Sequence, residues 1–469
     1  MNENIKEYIY SRKSELLGVL SELVAIPSVK GEPAECAPFG KEPRRALDKM
    51  LDICGEMGFT THCCENVVGT AELAAGGEAA LGILCHLDVV PAEPKNWHSD
   101  PFCMTERDGV LFGRGVIDDK GPAVAALFAM KCVKDLGLPL KNGVKLVFGT
   151  DEENGSEDLE IFLSREKLPP MVFTPDGSFP IINIEKGMMR SRFEGRVNGQ
   201  GSVVSLCGGS IPNAVPDRAE ALLEGVTLSD VSAAISSDKS GAVFAAENEN
   251  GCVKITCKGR SAHASTPESG INAVTALIGL VNSLFESGKL PVCDGVQCDI
   301  LRGLAKVFPF GETDGASAGL KCSDEKSGAL TCNLGLLRYD GQVLRAHLDI
   351  RYPLCAAEPD LCGRMVMALT GTPLSVSREG GHPVHYVPED HRLVRGLLEV
   401  YHDLTGLPAK AIAIGGGTYS QTMPNTVAFG INFPGDADPC HMPDEFVDID
   451  KLLLSTKIMA HAIEKLAGR

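Results

Sequence analysis

The chain has 469 residues, of which 23% are charged, and a formal net charge of -18 at pH 7. This length exceeds the usual size of one domain and predicts two domains, each with its own core. The acidic balance argues against a nucleic-acid partner, and no apolar run approaches the roughly 20 residues of a membrane helix. The 17 cysteines include no CxxC pair, as is typical of free thiols in a reducing cytosol. We therefore expect a soluble, cytoplasmic protein without a membrane partner.

The predicted elements alternate between helices and buried strands along much of the chain. Residues 1–29 have the pattern of one charged amphipathic helix. An Ala-rich helix is predicted at residues 121–136. Buried strands are predicted at residues 80–85, 144–148, 171–173 and 427–433. This alternation predicts the α/β fold class, with a mostly parallel sheet flanked by helices.

The predicted elements in the middle of the chain differ in length and pattern from those of the first part. Longer amphipathic strands are predicted at residues 251–257 and 343–350, and a long helix at residues 270–287. We interpret this region as an α+β domain inserted into the first domain. The expected domains are therefore a discontinuous one, residues 1–186 and 386–469, and an inserted one, residues 187–385.

Two short segments carry polar groups that are suited to a shared cleft. In HLDVVP, a strand delivers His86 and Asp88 two residues apart, so strand alternation places both on one side. In GRGVIDDKG, the adjacent carboxylates of Asp118 and Asp119 open a helix. A carboxylate at this position can bridge two metal ions, although Asp is also a common helix N-cap.

Three further segments with acidic or His residues follow predicted strands. TDEENG places Glu152 and Glu153 at the carboxyl end of one strand, PDG places Asp176 after the next, and PCHMP places His441 in a late loop. A metal-bound carboxylate is a poor base, so one glutamate can bind metal while its neighbour takes a proton from activated water. Because open α/β sheets bind ligands at this edge, we predict a single site there.

The donor types favour two Zn2+ ions per chain, with Mn2+ or Co2+ as substitutes, because imidazole and carboxylate ligands without thiolate suit these metals. The predicted ligands are His86, Asp118 and Asp176 for one ion, and Asp118, Glu153 and His441 for the other. Asp118 is thus shared. Asp88 is predicted to orient the imidazole of His86.

Together these segments resemble a known family. The set HLDVVP, GRGVIDDKGP, TDEENGS, PDG, GRSAHASTPE, LDIRYP and GGGTYS is similar to the zinc metallopeptidases that include carboxypeptidase G, aminoacylase, succinyl-diaminopimelate desuccinylase and carnosinase. The similarity is greatest to the PepV-type, Xaa-His-like dipeptidases. It implies the same five ligands and makes Glu152 the general base. It aligns the shared ligand with Asp118, with Asp119 as the second candidate.

The resemblance also implies substrate-binding residues beyond the metal ligands. His263, in the segment SAHAS, would polarise the scissile carbonyl. Arg351 would hold the C-terminal carboxylate of the substrate as a bidentate fork. Asn213 would bind near the same group, and Gly415 and Gly416 would offer backbone amides.

The sequence departs from the family pattern at one place. Relatives often carry a basic residue just after the GTY stretch, whereas Ser420 and Gln421 follow it here. The inserted domain is expected to act as a lid and to supply His263 within one chain, a role that a partner subunit fills in dimeric relatives. The resemblance therefore implies a monomer.

These observations predict a dizinc aminopeptidase that hydrolyses unblocked dipeptides with metal-activated water. Asp176 would face the free amine of the dipeptide, and Arg351 its carboxylate. Two alternatives stay open. One is an N-acyl amino acid deacylase or a carboxypeptidase of the same family, and the other is a catalytically silent, metal-dependent binding protein.

Overall fold

The computed structural model describes residues 3–197, 199, 201–292 and 295–468. The chain divides into two compact units. The first unit runs to Ile184 and continues with His385–Ile412 and from Gly417 onward, and the second comprises Glu185–Val384 with Ala413–Gly416. None of the helices in the described ranges combines the length and the apolar character that a membrane crossing requires.

The secondary structure is as follows. The α-helices are α1 (Glu3–Ser11), α2 (Lys13–Val24), α3 (Lys41–Glu56), α4 (Lys120–Asp135), α5 (Glu157–Arg165), α6 (Leu228–Ser237), α7 (Ala273–Glu286), α8 (Gly295–Val307), α9 (Glu358–Ala368), α10 (Arg392–Thr405) and α11 (Ile449–Ala467). The strands are β1 (Thr60–Cys64), β2 (Val68–Leu73), β3 (Ala79–His86), β4 (Thr105–Arg107), β5 (Val110–Phe112), β6 (Gly143–Gly149), β7 (Met171–Thr174), β8 (Ile182–Glu185), β9 (Gly187–Arg196), β10 (Val203–Gly208), β11 (Arg218–Leu223), β12 (Val243–Glu249), β13 (Cys252–Lys258), β14 (Ser323–Asp324), β15 (Gly328–Ala329), β16 (Thr331–Tyr339), β17 (Val343–Tyr352), β18 (Leu374–His382), β19 (His385–Tyr386), β20 (Ile412–Ile414), β21 (Thr426–Ala428) and β22 (Phe446–Asp448).

The first unit is built on a mixed sheet with the strand order β1-β2-β6-β3-β7-β21-β8-β19. The central strands β6, β3, β7 and β21 are parallel, as the alternation of elements predicted. Both faces of these strands are buried. Ile83 of β3 lies in a core shared with α4 and α11, whereas Leu84 faces Leu159 and Phe162 of α5. Helices therefore cover the sheet on both sides, which confirms the predicted α/β class.

Helix α4 lies at the centre of the first unit. Its Ala-rich sequence is buried along nearly its whole length, and it packs against α11 and α2. The small side chains let neighbouring elements approach closely and fill the space around the helix at core density. Its start follows Asp118 and Asp119 directly, so this rigid helix fixes the position of both carboxylates.

The second unit contains an antiparallel sheet with the strand order β12-β13-β11-β10-β16-β17-β9-β18. Helices α6, α7, α8 and α9 contribute buried apolar side chains to a core on one face of it. On the other face, the strands carry polar and charged residues such as Arg190, Arg192, Glu194 and Arg345. The sheet is therefore amphipathic, with one apolar and one polar face.

The two halves of this sheet have the same connectivity. In the first half, the strands β10-β11-β13-β12 lie side by side, and α6 connects β11 to β12. In the second half, the strands β16-β17-β9-β18 take the same places, and α9 connects β17 to β18. An antiparallel pairing of β10 with β16 joins the halves. Strand β9 takes the place that β13 has in the first half. It differs in chain order, because β9 precedes the other strands of its half whereas β13 follows those of its own.

Two predicted elements have different bounds in the structure. The single N-terminal helix predicted at residues 1–29 is wrong: α1 and α2 are separated at Arg12, and α2 ends before Pro27, a residue that disfavours helical backbone just before it. The predicted strand 427–433 is shorter, because only Thr426–Ala428 pair regularly. Beyond them, Gly430 passes so close to Pro175 that a Cβ would lie 1.8 Å from the Pro175 carbonyl oxygen.

Candidate active site

Three neighbouring parallel strands deliver polar side chains to one edge of the first sheet. His86 is the last residue of β3, Glu152 and Glu153 follow β6, and Asp176 follows β7. Because β6, β3 and β7 are adjacent and parallel, their carboxyl ends meet. Asp118 reaches the same place from the loop before α4, as its contacts with His86 show.

The carboxylate of Asp118 lies between two imidazoles. Its Oδ1 is 3.0 Å from Nε2 of His86, and its Oδ2 is 3.0 Å from Nε2 of His441. His441 also contacts Glu153, with 3.0 Å between Nε2 and Oε2. Asp118 is therefore the group that links the two halves of the predicted ligand set.

Asp88 contacts more groups than the His86 imidazole that it is predicted to orient. Nδ1 of His86 lies 3.0 Å from the backbone carbonyl oxygen of Asp88 and 3.5 Å from its Oδ1. The Asp88 carboxylate also accepts hydrogen bonds from the backbone N–H groups of Glu152, at 3.2 Å, and Glu153, at 3.1 Å. Asp88 thus positions the glutamate-bearing turn as well as the imidazole.

Asp119, the second candidate for the shared ligand, faces a different way. Its Oδ2 accepts a hydrogen bond from the backbone N–H of His86 at 2.9 Å. Its Oδ1 is buried and has no hydrogen-bond partner among the described residues. Asp119 therefore contacts the backbone of the His86 strand, whereas Asp118 contacts the imidazole ring.

The donor atoms are close enough to hold metal ions. Ligand atoms of His86, Asp118 and Glu153 all lie within 4.8 Å of one another, and so do those of His86, Glu152 and Asp176. Imidazole nitrogens and carboxylate oxygens are the donors that zinc and related divalent ions use in hydrolases. The residues therefore fit a bound cation. The second group also brings Glu152, the predicted base, within reach of a ligand position.

The carboxylates of the cluster favour positive charge on the two imidazoles. Hydrogen bonds with Asp118 and Glu153 raise the pKa of His441 to about 11. Burial favours the neutral form of His86, but hydrogen bonds with Asp118 and Asp88 outweigh it and raise its pKa well above the usual range. The crowded carboxylates thus hold protons on both imidazoles, at positions where metal cations would supply the same charge.

Glu152 is a carboxyl group of the cluster whose surroundings favour the protonated form. Burial raises the pKa of Glu152 well above its ordinary value. His86 opposes this rise, and the negative charges of Asp176 and Glu153 add to it. A carboxyl group with a raised pKa is suited to accept and return a proton near neutral pH.

Two residues that the sequence did not single out support the His86 side of the site. The ring of Tyr419 packs edge-on against His86, with ring centroids 6.1 Å apart. Its hydroxyl donates a hydrogen bond to Asp158 Oδ2 at 2.6 Å, and the same oxygen accepts from the backbone N–H of Thr150 and Asp151. Tyr419 lies in the GGGTYS segment, but no local pattern marks Asp158 as its partner, because the two residues are 261 positions apart and meet only in the folded chain.

Glu445 is a third residue that sequence reasoning missed. It is fully buried, and its carboxylate accepts hydrogen bonds from the backbone N–H groups of Gly115, Ile117 and Asp118. It lies four residues after His441, in a loop whose acidic residues look like an ordinary polar turn. Its contacts instead fix the backbone of the loop that carries Asp118.

In the second unit, the structure brings together the residues that the family resemblance assigned to the substrate. Nδ1 of His263 lies 2.6 Å from Oγ of Ser265. The backbone of Ala264 donates to the carbonyl oxygen of Asn213 at 3.0 Å. A Cβ at Gly415 would lie 2.6 Å from Cβ of Ser265, so this close approach requires glycine.

Arg351 belongs to the same cluster but is already paired. Its Nε donates to Oδ1 of Asp349 at 2.6 Å, and its Nη2 donates to Oδ2 at 3.1 Å. Its Nη1 donates to the carbonyl oxygen of Gly415 at 2.8 Å. The Nε–Nη2 edge of the predicted fork therefore faces Asp349, which leaves the Nη1 and Nη2 ends for any further partner.

An α/β sheet that gathers imidazoles and carboxylates at the carboxyl ends of its parallel strands is the arrangement of a metal-dependent hydrolase. The model of Peptidase family M20/M25/M40 matches residues 82–465, and the chain belongs to this peptidase family. This confirms the resemblance to the metallopeptidases.

One relative supports this assignment, and two solved structures have a similar fold. The chain is 36% identical over 474 residues to a Bacillus subtilis (strain 168) protein named "Putative dipeptidase YtjP", and the match covers 98% of each chain. Its fold is similar to that of human carnosine dipeptidase 1, with a TM-score of 0.60, 18% identity and coverage of 100% and 99% of the two chains. The Saccharomyces cerevisiae di-peptidase Dug1p has a TM-score of 0.59 at 13% identity, with coverage of 100% and 98%.

Proposed function

We propose that the chain is a two-metal aminopeptidase that hydrolyses unblocked dipeptides. The observation that carries the proposal is the position of Asp118, whose two oxygens each lie 3.0 Å from a different imidazole, that of His86 and that of His441. A carboxylate placed in this way suits a bridge between two cations. Asp176 would complete the ligands beside His86, and Glu153 those beside His441. The printed name of the Bacillus subtilis relative supports a dipeptide substrate.

We propose Zn2+ as the cation, with two ions per chain, because imidazole and carboxylate ligands are typical of catalytic zinc. Mn2+ and Co2+ fit the same donors. Such ions, when bound, lower the pKa of a water molecule and polarise a carbonyl group.

Glu152 is the proposed general base and proton shuttle. Its backbone N–H is held by Asp88, which fixes the turn from which the side chain extends. Glu152 would take a proton from the attacking water and return it to the leaving amine, and its raised pKa makes it a stronger base for the first transfer. Asp176 would also face the free amine of the dipeptide.

The second unit is proposed to act as a lid that recognises the substrate. His263 would stabilise the charge that develops on the carbonyl oxygen. Arg351, Asn213, Gly415 and Gly416 would bind the C-terminal carboxylate. The grouping of the His263 loop, Gly415 and Arg351 within this unit supports the proposal.

We further propose that the working enzyme is a cytoplasmic monomer, because one chain carries both the metal cluster and the second unit. Sedimentation of the metal-loaded protein should give a mass near 49.7 kDa. An obligate dimer would contradict this proposal.

The test compares wild type with Glu152→Gln, which keeps the shape of the side chain and removes its basicity. We expect both proteins to bind about two zinc ions per chain and the variant to hydrolyse Ala-Ala at least about 100-fold more slowly, since a positioned base contributes about 10²–10⁴-fold. Metal content is measured by mass spectrometry, and hydrolysis by release of free alanine. Glu160→Gln, on the exposed face of α5, is the matched control.

Three results would contradict the proposal. If Glu152→Gln loses its metal, Glu152 is a ligand rather than the base. If wild type hydrolyses N-acetylalanine as well as Ala-Ala, the chain is a deacylase of the same family. If wild type binds zinc but hydrolyses no amide, the chain is a binding protein.

A further inference from the structure

Arg190 lies beside the ion pair of Asp349 and Arg351 on the polar face of the second sheet. In the register of β9 and β17, Arg190 is directly opposite Asp349. Nε of Arg190 lies 3.8 Å from Oδ2 of Asp349, the same oxygen that accepts from Nη2 of Arg351 at 3.1 Å. One carboxylate thus stands between two guanidinium groups.

Asp349 is committed to Arg351. Both of its oxygens accept hydrogen bonds from that guanidinium, in the bidentate geometry that arginine and carboxylate prefer. The distance of 3.8 Å to Arg190 exceeds a hydrogen bond. Asp349 and Arg351 therefore neutralise each other, and the charge of Arg190 is left over.

Among the described residues, Asp349 is the one carboxylate within ion-pair distance of Arg190. Nε of Arg190 is buried and has no hydrogen-bond partner in the part of the chain that the structure describes. His382 lies on the neighbouring strand β18, and its pKa is lowered by burial, with the charges of Arg351 and Arg190 adding to the effect. A neutral imidazole does not compensate a guanidinium. The side chain of Arg190 is 43% exposed, so its outer end is accessible to a ligand.

We propose that Arg190 binds the C-terminal carboxylate of the substrate and makes that group a requirement for efficient hydrolysis. This inference rests on the proposed dipeptidase function. Arg351 alone offers a cation whose charge Asp349 already balances, so a bound carboxylate needs the additional charge of Arg190.

The test compares Ala-Ala with its C-terminal amide, which keeps the shape of the dipeptide and removes the negative charge. Wild type should favour the free acid. Arg190→Gln should lower kcat/KM for Ala-Ala by about 10- to 100-fold, the effect of a lost charge-assisted hydrogen bond, mainly through KM. The same variant should leave kcat/KM for the amide within about twofold. The acid-to-amide ratio therefore falls towards one.

Arg196→Gln is the matched control, because Arg196 lies on the same strand and face and donates hydrogen bonds to Glu194 at 3.1 and 2.8 Å. It should leave the acid-to-amide ratio unchanged. Arg190→Lys should restore part of the preference, which a purely structural role would not predict. Zinc content and thermal unfolding of each variant show that the fold is intact.

The possible outcomes separate this inference from the proposed function. If wild type hydrolyses Ala-Ala but shows no preference over the amide, the role of Arg190 is overturned while the dipeptidase stands. The same holds if Arg190→Gln slows both substrates equally, or if Arg196→Gln has the same effect as Arg190→Gln. If wild type hydrolyses neither substrate, the dipeptidase proposal fails, and the role of Arg190 fails with it.

Discussion

Glu445 and Arg114 form a buried ion pair, with Nη1 of Arg114 2.7 Å from Oε2 of Glu445 and side-chain exposures of 3% and 0%. The guanidinium of Arg114 also lies over the ring of Trp97. Because Glu445 accepts hydrogen bonds from the backbone of the Asp118 loop and follows His441 by four residues, it joins the two loops that carry these proposed ligands. Such partners behind the ligands usually tune metal affinity.

Glu445→Gln should therefore weaken zinc binding by about 10- to 100-fold, as loss of an outer partner of a metal site does. It should also destabilise the fold by about 3–5 kcal/mol, since Arg114 would remain as an unpaired buried charge. Zinc affinity is measured by competition with a chelator, and stability by urea unfolding.

The double variant with Arg114→Met separates the two effects. It should recover stability, because no buried charge is left without a partner, but zinc affinity should stay low. Glu389→Gln, the same change at an exposed residue, should alter neither quantity. Full recovery of zinc affinity in the double variant would show that Glu445 acts only through stability.

The two adjacent aspartates should differ in their effect on metal content. Asp118→Asn should reduce bound zinc from about two ions to one or none per chain, because each oxygen of Asp118 faces a different imidazole. Asp119→Asn should keep both ions, since Asp119 contacts the backbone of His86. Metal analysis of the purified variants decides this point. Loss of zinc in Asp119→Asn alone would make Asp119 the shared ligand.

Zinc binding should release protons. His441 has a pKa of about 11 in the metal-free cluster, and that of His86 is also raised, so both imidazoles carry a proton at pH 7. Zinc needs the neutral imidazole, so binding at pH 7 should release about two protons, and affinity should rise with pH. Calorimetric titration in two buffers of different ionisation enthalpy measures the number of protons released.

The proton count has its own control. His441→Ala should release about one proton fewer than wild type, because one of the two imidazoles is gone. Zinc binding to wild type without net proton release would mean that the imidazoles are already neutral.

Lys120 should make stability depend on pH. Its Nζ is fully buried and donates to the carbonyl oxygens of Leu23, at 3.0 Å, and Ile26, at 2.7 Å. Burial lowers its pKa to about 7, below the value of about 10.4 in an unfolded chain. Between these pH values the unfolded chain binds more protons than the folded one, so this group makes stability rise as pH rises.

Lys120→Met should remove that contribution. Between pH 7 and pH 10, the Tm of metal-free wild type should rise relative to the Tm of the metal-free variant. Lys131→Met, on the same helix and paired with Asp135, should show no such trend. A difference for Lys120→Met that is the same at every pH would contradict the lowered pKa.

The sequence was sufficient to predict that the site residues at the ends of strands meet. His86, Glu153 and Asp176 come directly after apolar runs, and parallel neighbours bring such ends together, so their meeting could be predicted. The two-sided contact of Asp118 also agrees with the predicted shared position. The roles of these residues in catalysis stay predictions.

The supporting contacts could not be predicted, because they depend on packing between distant segments. Tyr419 and Asp158, or Glu445 and Arg114, show no spacing that marks them as partners. The pairing of Arg351 with Asp349 was missed for another reason: on one strand they are two residues apart and share a face, and the family pattern drew attention only to the arginine. The break at Arg12 likewise has no local signal.

The position of β9 in the chain has a consequence for biosynthesis. The first half of the second sheet, β10 to β13, leaves the ribosome as one continuous stretch and can pair at once. Strand β9 emerges earlier, yet its neighbours β17 and β18 end about 150 to 190 residues later. Both edges of β9 therefore stay without strand partners during that interval. We expect nascent chains stalled before β17 to be the species that chaperones bind and that aggregates first.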